Sequence, residues 1–511
     1  MRRMVGLCLL ATAACAAPVA PRSAGVAPDP VLPPHLTPRQ ALGAAIDSMV
    51  SAAAFRNAHW GVLIVDPEAG DTLYSLNAGK LFMPASNMKL VTGAVALAQL
   101  GADFRFRTTV VAVGARRDSV LDGDIVIHGR GDPSFSDSMR TDAMLPMLDL
   151  ADSIAARGIT RVTGRLIAGD DVFPDAGYGY GWSWDEFDES YSAGVDELFF
   201  NEGAGRVTVR AAARAGALVL VVTEPLATYP RVRITARTVV RPSTLASGGS
   251  ESGAALESQP LEIAFDSTTG GLLVRGELPL GDTASRLVAY RDQRGAFLAA
   301  LSSALASRGI TLVGRLRAPA PRPDTLFAYQ SPTLAEILPA FQKPSQNQIG
   351  EILFKTLGLE RAGIGRADSG RRVVDSQLVA WGAARDGFVV RDGSGLSRYN
   401  YLTPETIVRV LDVMRRRPDF RAYYDALPIA GIDGTMRTRM RRTAAEGNVR
   451  AKTGTLSNAR SLSGYVTTAD GRVLLFSLLC NNWTVPVREI NAVQDAIAVR
   501  LASLTRVVEA R

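Results

Sequence analysis

Apolar residues between Ala41 and Ala54 recur at helical spacing, so a globular unit opens near Pro38 with a predicted helix. Two strands follow, Trp60 to Val65 and Asp71 to Ser75. The turn-rich run Asp66-Pro67-Glu68-Ala69-Gly70 between them predicts a hairpin. Ser86 to Leu100 returns to a helical pattern, closed by Gly101. From about Phe104 the texture changes. Residues 105–290 hold short alternating segments such as Arg107 to Val113, Gly123 to His128, Arg161 to Ala168, Val207 to Ala211 and Leu218 to Val222. Loops rich in Gly, Asp and Ser separate them, and Ser243 to Ser258 reads as an exposed connection. Helical patterns resume at Ala296 to Arg308, around Leu334 to Lys355, at Arg371 to Ala384 and at Pro404 to Arg415. Strands at Leu462 to Thr467 and Val473 to Leu479 precede a last helix, Val487 to Leu504. The expected architecture is a discontinuous α/β domain over 38–103 and 291–511. It is interrupted at 104–290 by one or two β-rich modules.

Length agrees with several units, since 511 residues exceed what one core holds. With 47 % apolar and 21 % charged residues the chain is neither disordered nor membrane-embedded. Residues 1–16 read as an export signal: Arg2 and Arg3, an apolar stretch from Val5 to Ala14, then small residues. That stretch is too short to span a bilayer, so no transmembrane span is expected once it is removed. Thr12-Ala13-Ala14-Cys15 also resembles a lipoprotein processing site, which would place a lipid anchor on Cys15. Thr12 departs from the large apolar residue usual there. Residues 17–37, with six prolines from Pro18 to Pro34, read as an extended tether. The expected location is the periplasm or cell envelope. Cys8 lies in the signal and Cys480 in an apolar run, so no disulfide framework is expected.

The net charge of +7 is spread along the chain without a long basic run, which favours a solvated basic surface over a nucleic-acid groove. The kind of base says more. Only five of the 57 basic residues are lysines: Lys80, Lys89, Lys343, Lys355 and Lys452. Arginine cannot lose its proton and a desolvated lysine can, so a retained lysine hints at proton chemistry.

Two of the five lie in short motifs. In Ser86-Asn87-Met88-Lys89 a helix puts both functional side chains on one face, where Lys89 can activate the Ser86 hydroxyl. The plain alternative is a helix start with a surface lysine. In Lys452-Thr453-Gly454-Thr455 an edge-strand lysine would hold Lys89 neutral and attract a carboxylate. Gly454 would let an extended peptide lie against the strand, and the Thr455 N–H would face an oxyanion. The alternative there is a β-turn. Ser345-Gln346-Asn347 lies between them in order, and both residue types also cap helices well. A second Ser-x-Asn, Ser75-Leu76-Asn77, ends a hairpin strand. Only His35, His59 and His128 are available, without zinc-ligand spacing, so no metal and no cofactor is expected.

The ordered set Ser-x-x-Lys, Ser-x-Asn, Lys-Thr-Gly resembles that of penicillin-binding proteins and β-lactamases. The chain is similar to the D-alanyl-D-alanine carboxypeptidase/endopeptidase family, the low-molecular-mass class C penicillin-binding proteins. The resemblance rests on Pro84 to Lys89, Lys343 to Asn347, Asp392-Gly393-Ser394-Gly395-Leu396-Ser397-Arg398 and Lys452 to Leu456. The 255 residues between Lys89 and Ser345 match the family's large insertion. The resemblance implies a transpeptidase/β-lactamase-like fold, an antiparallel sheet flanked by helices. It implies Ser86 as acylated nucleophile, Lys89 as base, and Ser345 and Asn347 as a second element. Lys452 and Thr453 would bind the substrate carboxylate, and the N–H groups of Ser86 and Thr455 would form the oxyanion hole. An acidic residue of the insertion would read the free amine of the peptide side chain. Here Trp184-Asp185-Glu186 leaves Asp185 and Glu186 both open for it. Implied partners are peptidoglycan stem peptides, with β-lactam antibiotics as inhibitors. The alternatives are a β-lactamase or esterase of the same fold, or a wall-binding protein without activity.

Overall fold

A computed structural model describes residues 36–241, 259–315 and 323–505. The expected signal, the tether, Cys15 and the Ser/Gly-rich run lie outside the described residues, apart from the last two residues of the tether. Five antiparallel strands form one sheet, in the order Arg450–Leu456, Ala459–Thr467, Val473–Asn481, His59–Asp66 and Asp71–Leu76. The two ends of the chain thus build one sheet. Its strands alternate between two apolar clusters, as period-two side chains must. Val62, Ile64, Phe476 and Leu478 face Leu42 and Ile46 of helix Pro38–Val50 and Ile490 and Ile497 of helix Val487–Ala502. Leu63, Leu475 and Leu479 face the other way, toward helix Met88–Leu100 and the helices around it. That helix is buried from Met88 through Leu97. A helix apolar on all sides belongs in the middle of a domain. Among the described residues no helix is long and apolar enough to cross a membrane.

The helical pattern around Leu334 to Lys355 forms two helices, Leu334–Gln342 and Asn347–Ala362. Pro344 cannot supply a helical N–H and disfavours helix at Lys343. Ser345 then adopts a left-handed backbone, φ 66°, and the Gln346 side chain caps the second helix by accepting from Ile349 N.

The insertion holds a larger mixed sheet with strands Val120–His128 and Arg107–Arg117 at its centre. Strand Pro323–Gln330 pairs with Arg107–Arg117, and Thr311–Leu312 joins the far edge. Helix Gln293–Ser307 buries Phe297, Leu301 and Leu305 in this sheet's core, with Ile125, Ile127 and Leu150. The expectation that the catalytic domain resumes at 291 conflicts with this packing, and we place its return after Gln330. A second module is all β, with Val207, Val209, Ile263 and Val274 inside it.

Candidate active site

The chain reaches Ser86 through a strained turn. Ala85 has φ 47°, a left-handed backbone that costs a β-carbon-bearing residue about 1 kcal/mol or more. Ala85–Asn87 is a 3-10 turn and the α-helix starts at Met88. Two contacts hold the turn against the sheet. Ser461 Oγ donates to Pro84 O at 2.7 Å, and Asn87 Nδ2 donates to Lys452 O at 2.8 Å. Close approach also explains two glycines. A Cβ on Gly395 would lie 1.9 Å from Ala85 O. A Cβ on Gly454 would lie 2.0 Å from Ser461 Oγ and 2.7 Å from Pro84 O. The space at Gly454 therefore faces the turn that carries Ser86, not an extended peptide as its sequence position suggested. Gly454→Ala is expected to displace that turn, lowering kcat/KM about 100-fold and stability by about 1–3 kcal/mol. Steady-state kinetics and thermal melts check both.

Lys89 is fully buried and its Nζ has three neighbours: Ser86 Oγ at 2.9 Å, Asn347 Oδ1 at 2.6 Å and Ser394 O at 2.7 Å. Asn347 is oriented by its other end, since Nδ2 donates to Tyr191 O at 2.8 Å. Asn347 Oδ1 and Ser394 O can only accept. A neutral amine therefore donates to both and turns its lone pair to the Ser86 hydroxyl, which donates to it. Burial pushes the Lys89 pKa down to about 7, against Asp392 and Glu351, which pull it up.

Those two carboxylates were not singled out in the sequence. Glu351, on the helix that carries Asn347, accepts from Ser394 N at 2.8 Å and Gly393 N at 3.1 Å. Asp392 accepts from Gly395 N, Ser397 N, Asn400 Nδ2 and Trp182 Nε1. Together they shape the loop that presents the Ser394 carbonyl. The run Asp392 to Arg398 carried the only sequence signal, through the family resemblance.

Lys452 is also fully buried, on the inner side of the edge strand, and donates to Thr453 O at 3.0 Å. Burial and the charge of Lys89 hold its pKa well below the usual lysine value. Thr453 Oγ1 meets Thr435 Oγ1 at 2.6 Å. Lys343 fixes the loop that brings Thr435 there, pairing with Asp433 at 2.5 Å.

Above the two lysines lies a cleft of about 670 Å³, walled by Ser86, Ser345, Asn347, Thr453, Thr455 and Glu186. Tyr191 and Arg398 line it as well. Asp185 is exposed on the turn Trp184–Glu186 and is not part of the wall. The insertion takes part directly: besides the Tyr191 carbonyl, Ser190 O and Ala193 O accept from Gln348 Nε2. Lys355, another buried lysine, pairs with Asp175 and donates to Ala176 O, tying the start of this segment to the Asn347 helix.

A five-stranded antiparallel sheet between helical layers, with a serine hydrogen-bonded to a buried lysine, defines the serine-active penicillin-binding class of acyl-transfer enzymes. The structure superimposes on penicillin binding protein 4 (dacB) of Haemophilus influenzae with a TM-score of 0.74 at 21 % identity, covering 90 % of this chain and 99 % of that one. A second structure of that protein holds a β-lactam. In sequence the chain is 37 % identical over 478 residues to the D-alanyl-D-alanine carboxypeptidase of Actinomadura sp. (strain R39), covering 89 % of this chain and 84 % of the relative. It is 26 % identical over 418 residues to the H. influenzae D-alanyl-D-alanine carboxypeptidase DacB, covering 80 % and 82 %. The chain belongs to the D-Ala-D-Ala carboxypeptidase 3 (S13) family, whose model matches residues 42–504. It is a serine-type DD-peptidase.

Proposed function

We propose that Ser86 is the residue acylated when the chain cleaves peptidoglycan stem peptides ending in D-Ala-D-Ala, with Lys89 as its base. The shared Lys89 Nζ carries this reading: two acceptors take its hydrogens and leave the lone pair for Ser86. Ser86 Oγ attacks the carbonyl carbon of the penultimate D-Ala as its proton passes to Lys89. The N–H groups of Ser86 and Thr455 receive the oxyanion. Collapse breaks the peptide bond, and the leaving D-Ala nitrogen takes a proton relayed through Ser345. Water, deprotonated by Lys89, then frees the acyl group and restores Ser86. Thr453 and Thr455, on the cleft wall above the buried Lys452, receive the terminal carboxylate. Glu186, on the cleft wall, is favoured over Asp185 as the group that meets the amine of the stem side chain. The N-terminal signal pattern supports action in the cell envelope, with Cys15 as the position for a lipid anchor.

The test is incubation of the purified protein with a D-Ala-D-Ala pentapeptide and, separately, with penicillin. Release of D-Ala and a single penicillin adduct by intact mass are expected. Neither product nor adduct would overturn the reading. Digestion of crosslinked muropeptides in parallel separates endopeptidase from carboxypeptidase action.

A further inference from the structure

Arg460 stands directly opposite Thr455 in the sheet, on strand Ala459–Thr467. Cross-strand partners share a face. The Arg460 guanidinium donates to Thr455 Oγ1, and its Nε donates to Asn491 Oδ1 at 3.1 Å. It is half-buried, and among the described residues no carboxylate pairs with it. The neighbouring Arg439 differs, being neutralised by Asp495 at 2.6 Å. Among the described residues Arg460 is thus a charge without a counter-ion, held against burial and the nearby Arg439, one side chain behind the cleft wall.

The hydrogen bond to Thr455 has a direction. A guanidinium has donors only, so Thr455 Oγ1 accepts. The hydroxyl's own proton is left over, and Thr455 is exposed on the cleft wall. Accepting from a cation strengthens that O–H as a donor to an anion. Of the other cations at this end, Arg398 on the cleft wall turns to Ser457 O, and Lys452 lies sealed beneath the strand, where burial and Lys89 oppose its charge.

We propose that Arg460 is a positioning residue for a free carboxylate on the leaving residue, acting through the Thr455 hydroxyl. The inference rests on the cleft being the acylation site. The competing role is purely structural, tying the strand to helix Val487–Ala502 through Asn491.

Two peptides separate these roles, one ending in D-Ala-D-Ala and the other in D-Ala-D-alaninamide. The measured quantity is the ratio of their kcat/KM values on the full protein. The wild type is expected to favour the free acid by about 100-fold, and Arg460→Gln to lower that ratio by about 10-fold or more, mainly through KM. Arg460→Lys keeps the charge but not the planar fork, and is expected to lower the ratio about 3-fold. A ratio unchanged in either folded variant, even with both rates reduced, would overturn the proposal in favour of the structural role. A wild-type ratio near one would overturn it alone. Failure of the wild type to cleave either peptide would instead overturn the acylation reading, and the inference with it.

Discussion

Ser86→Ala is expected to lower kcat/KM on a D-Ala-D-Ala peptide by about ten-thousand-fold or more and to abolish the penicillin adduct. The loss is large because both stages of the reaction pass through one oxygen. The bond from the carbonyl carbon to Ser86 Oγ must form and then break, and no other hydroxyl makes a hydrogen bond to Lys89 Nζ among the described residues. Ser345, another hydroxyl on the cleft wall, comes from a separate loop. The fold is expected to survive. Ser86 Oγ hydrogen-bonds only to Lys89 among the described residues, and Lys89 keeps Asn347 Oδ1 and Ser394 O. A melting temperature within a few degrees of wild type, together with no mass shift under penicillin, is the combined expectation. An adduct that persists in Ser86→Ala would sink the assignment.

Lys89→Met is expected to cost about a thousand-fold or more in acylation rate, and to lower stability as well. The two effects have different sources. Activity falls because nothing remains to take the Ser86 proton. Stability falls because Asn347 Oδ1 and Ser394 O lose a buried donor, at about 1–3 kcal/mol each. Lys89→Arg does not rescue activity, since arginine stays protonated and offers no lone pair. The wild-type pH profile provides the complementary check. The neutral amine is the active form, and it dominates above a pKa of about 7. As pH falls through that value Lys89 gains a proton and the lone pair is lost. Acylation is therefore expected to slow about tenfold per unit at acid pH and to level off above neutrality. Stopped-flow acylation by a chromogenic β-lactam measures this, and a rate independent of pH between 5 and 8 would exclude Lys89 as the base.

The sequence was most legible where pattern and punctuation agreed. Helix Pro404–Arg415 has its expected limits, set by Thr403 as cap and Pro404 at its first position. The first hairpin and the two late strands also stand where alternation put them. Helix Gln293–Ser307 was seen but assigned to the wrong body, because an apolar stripe does not say which sheet it covers. Two motifs stood out through scarce lysines and Ser345-Gln346-Asn347 through its order between them, and the structure brings Ser86, Lys89, Asn347 and Lys452 around one point. What stayed hidden was whatever depends on backbone carbonyls or on distant contacts. The Ser394 carbonyl at Lys89 has no side-chain signature. Glu351 reads as an ordinary helical carboxylate until Gly393 and Ser394 fold over it. Which of Asp185 and Glu186 faces the cleft also needed the turn of Trp184–Glu186 to be seen.

The carbonyl of Tyr191 has a consequence for how such proteins can be rebuilt. Asn347 aims its oxygen at Lys89 only because its nitrogen is held from the insertion, and Gln348 is held there twice more. Excising the inserted modules to make a minimal enzyme would leave the Asn347 amide free to flip and present a donor to the base. The same holds for chimaeras. An insertion exchanged between relatives has to travel with its matching helix Asn347–Ala362, since the buried Lys355–Asp175 pair and these three amide contacts form a single joint. The insertion holds the amide that faces Lys89, and its boundary is a poor place for an engineer to cut.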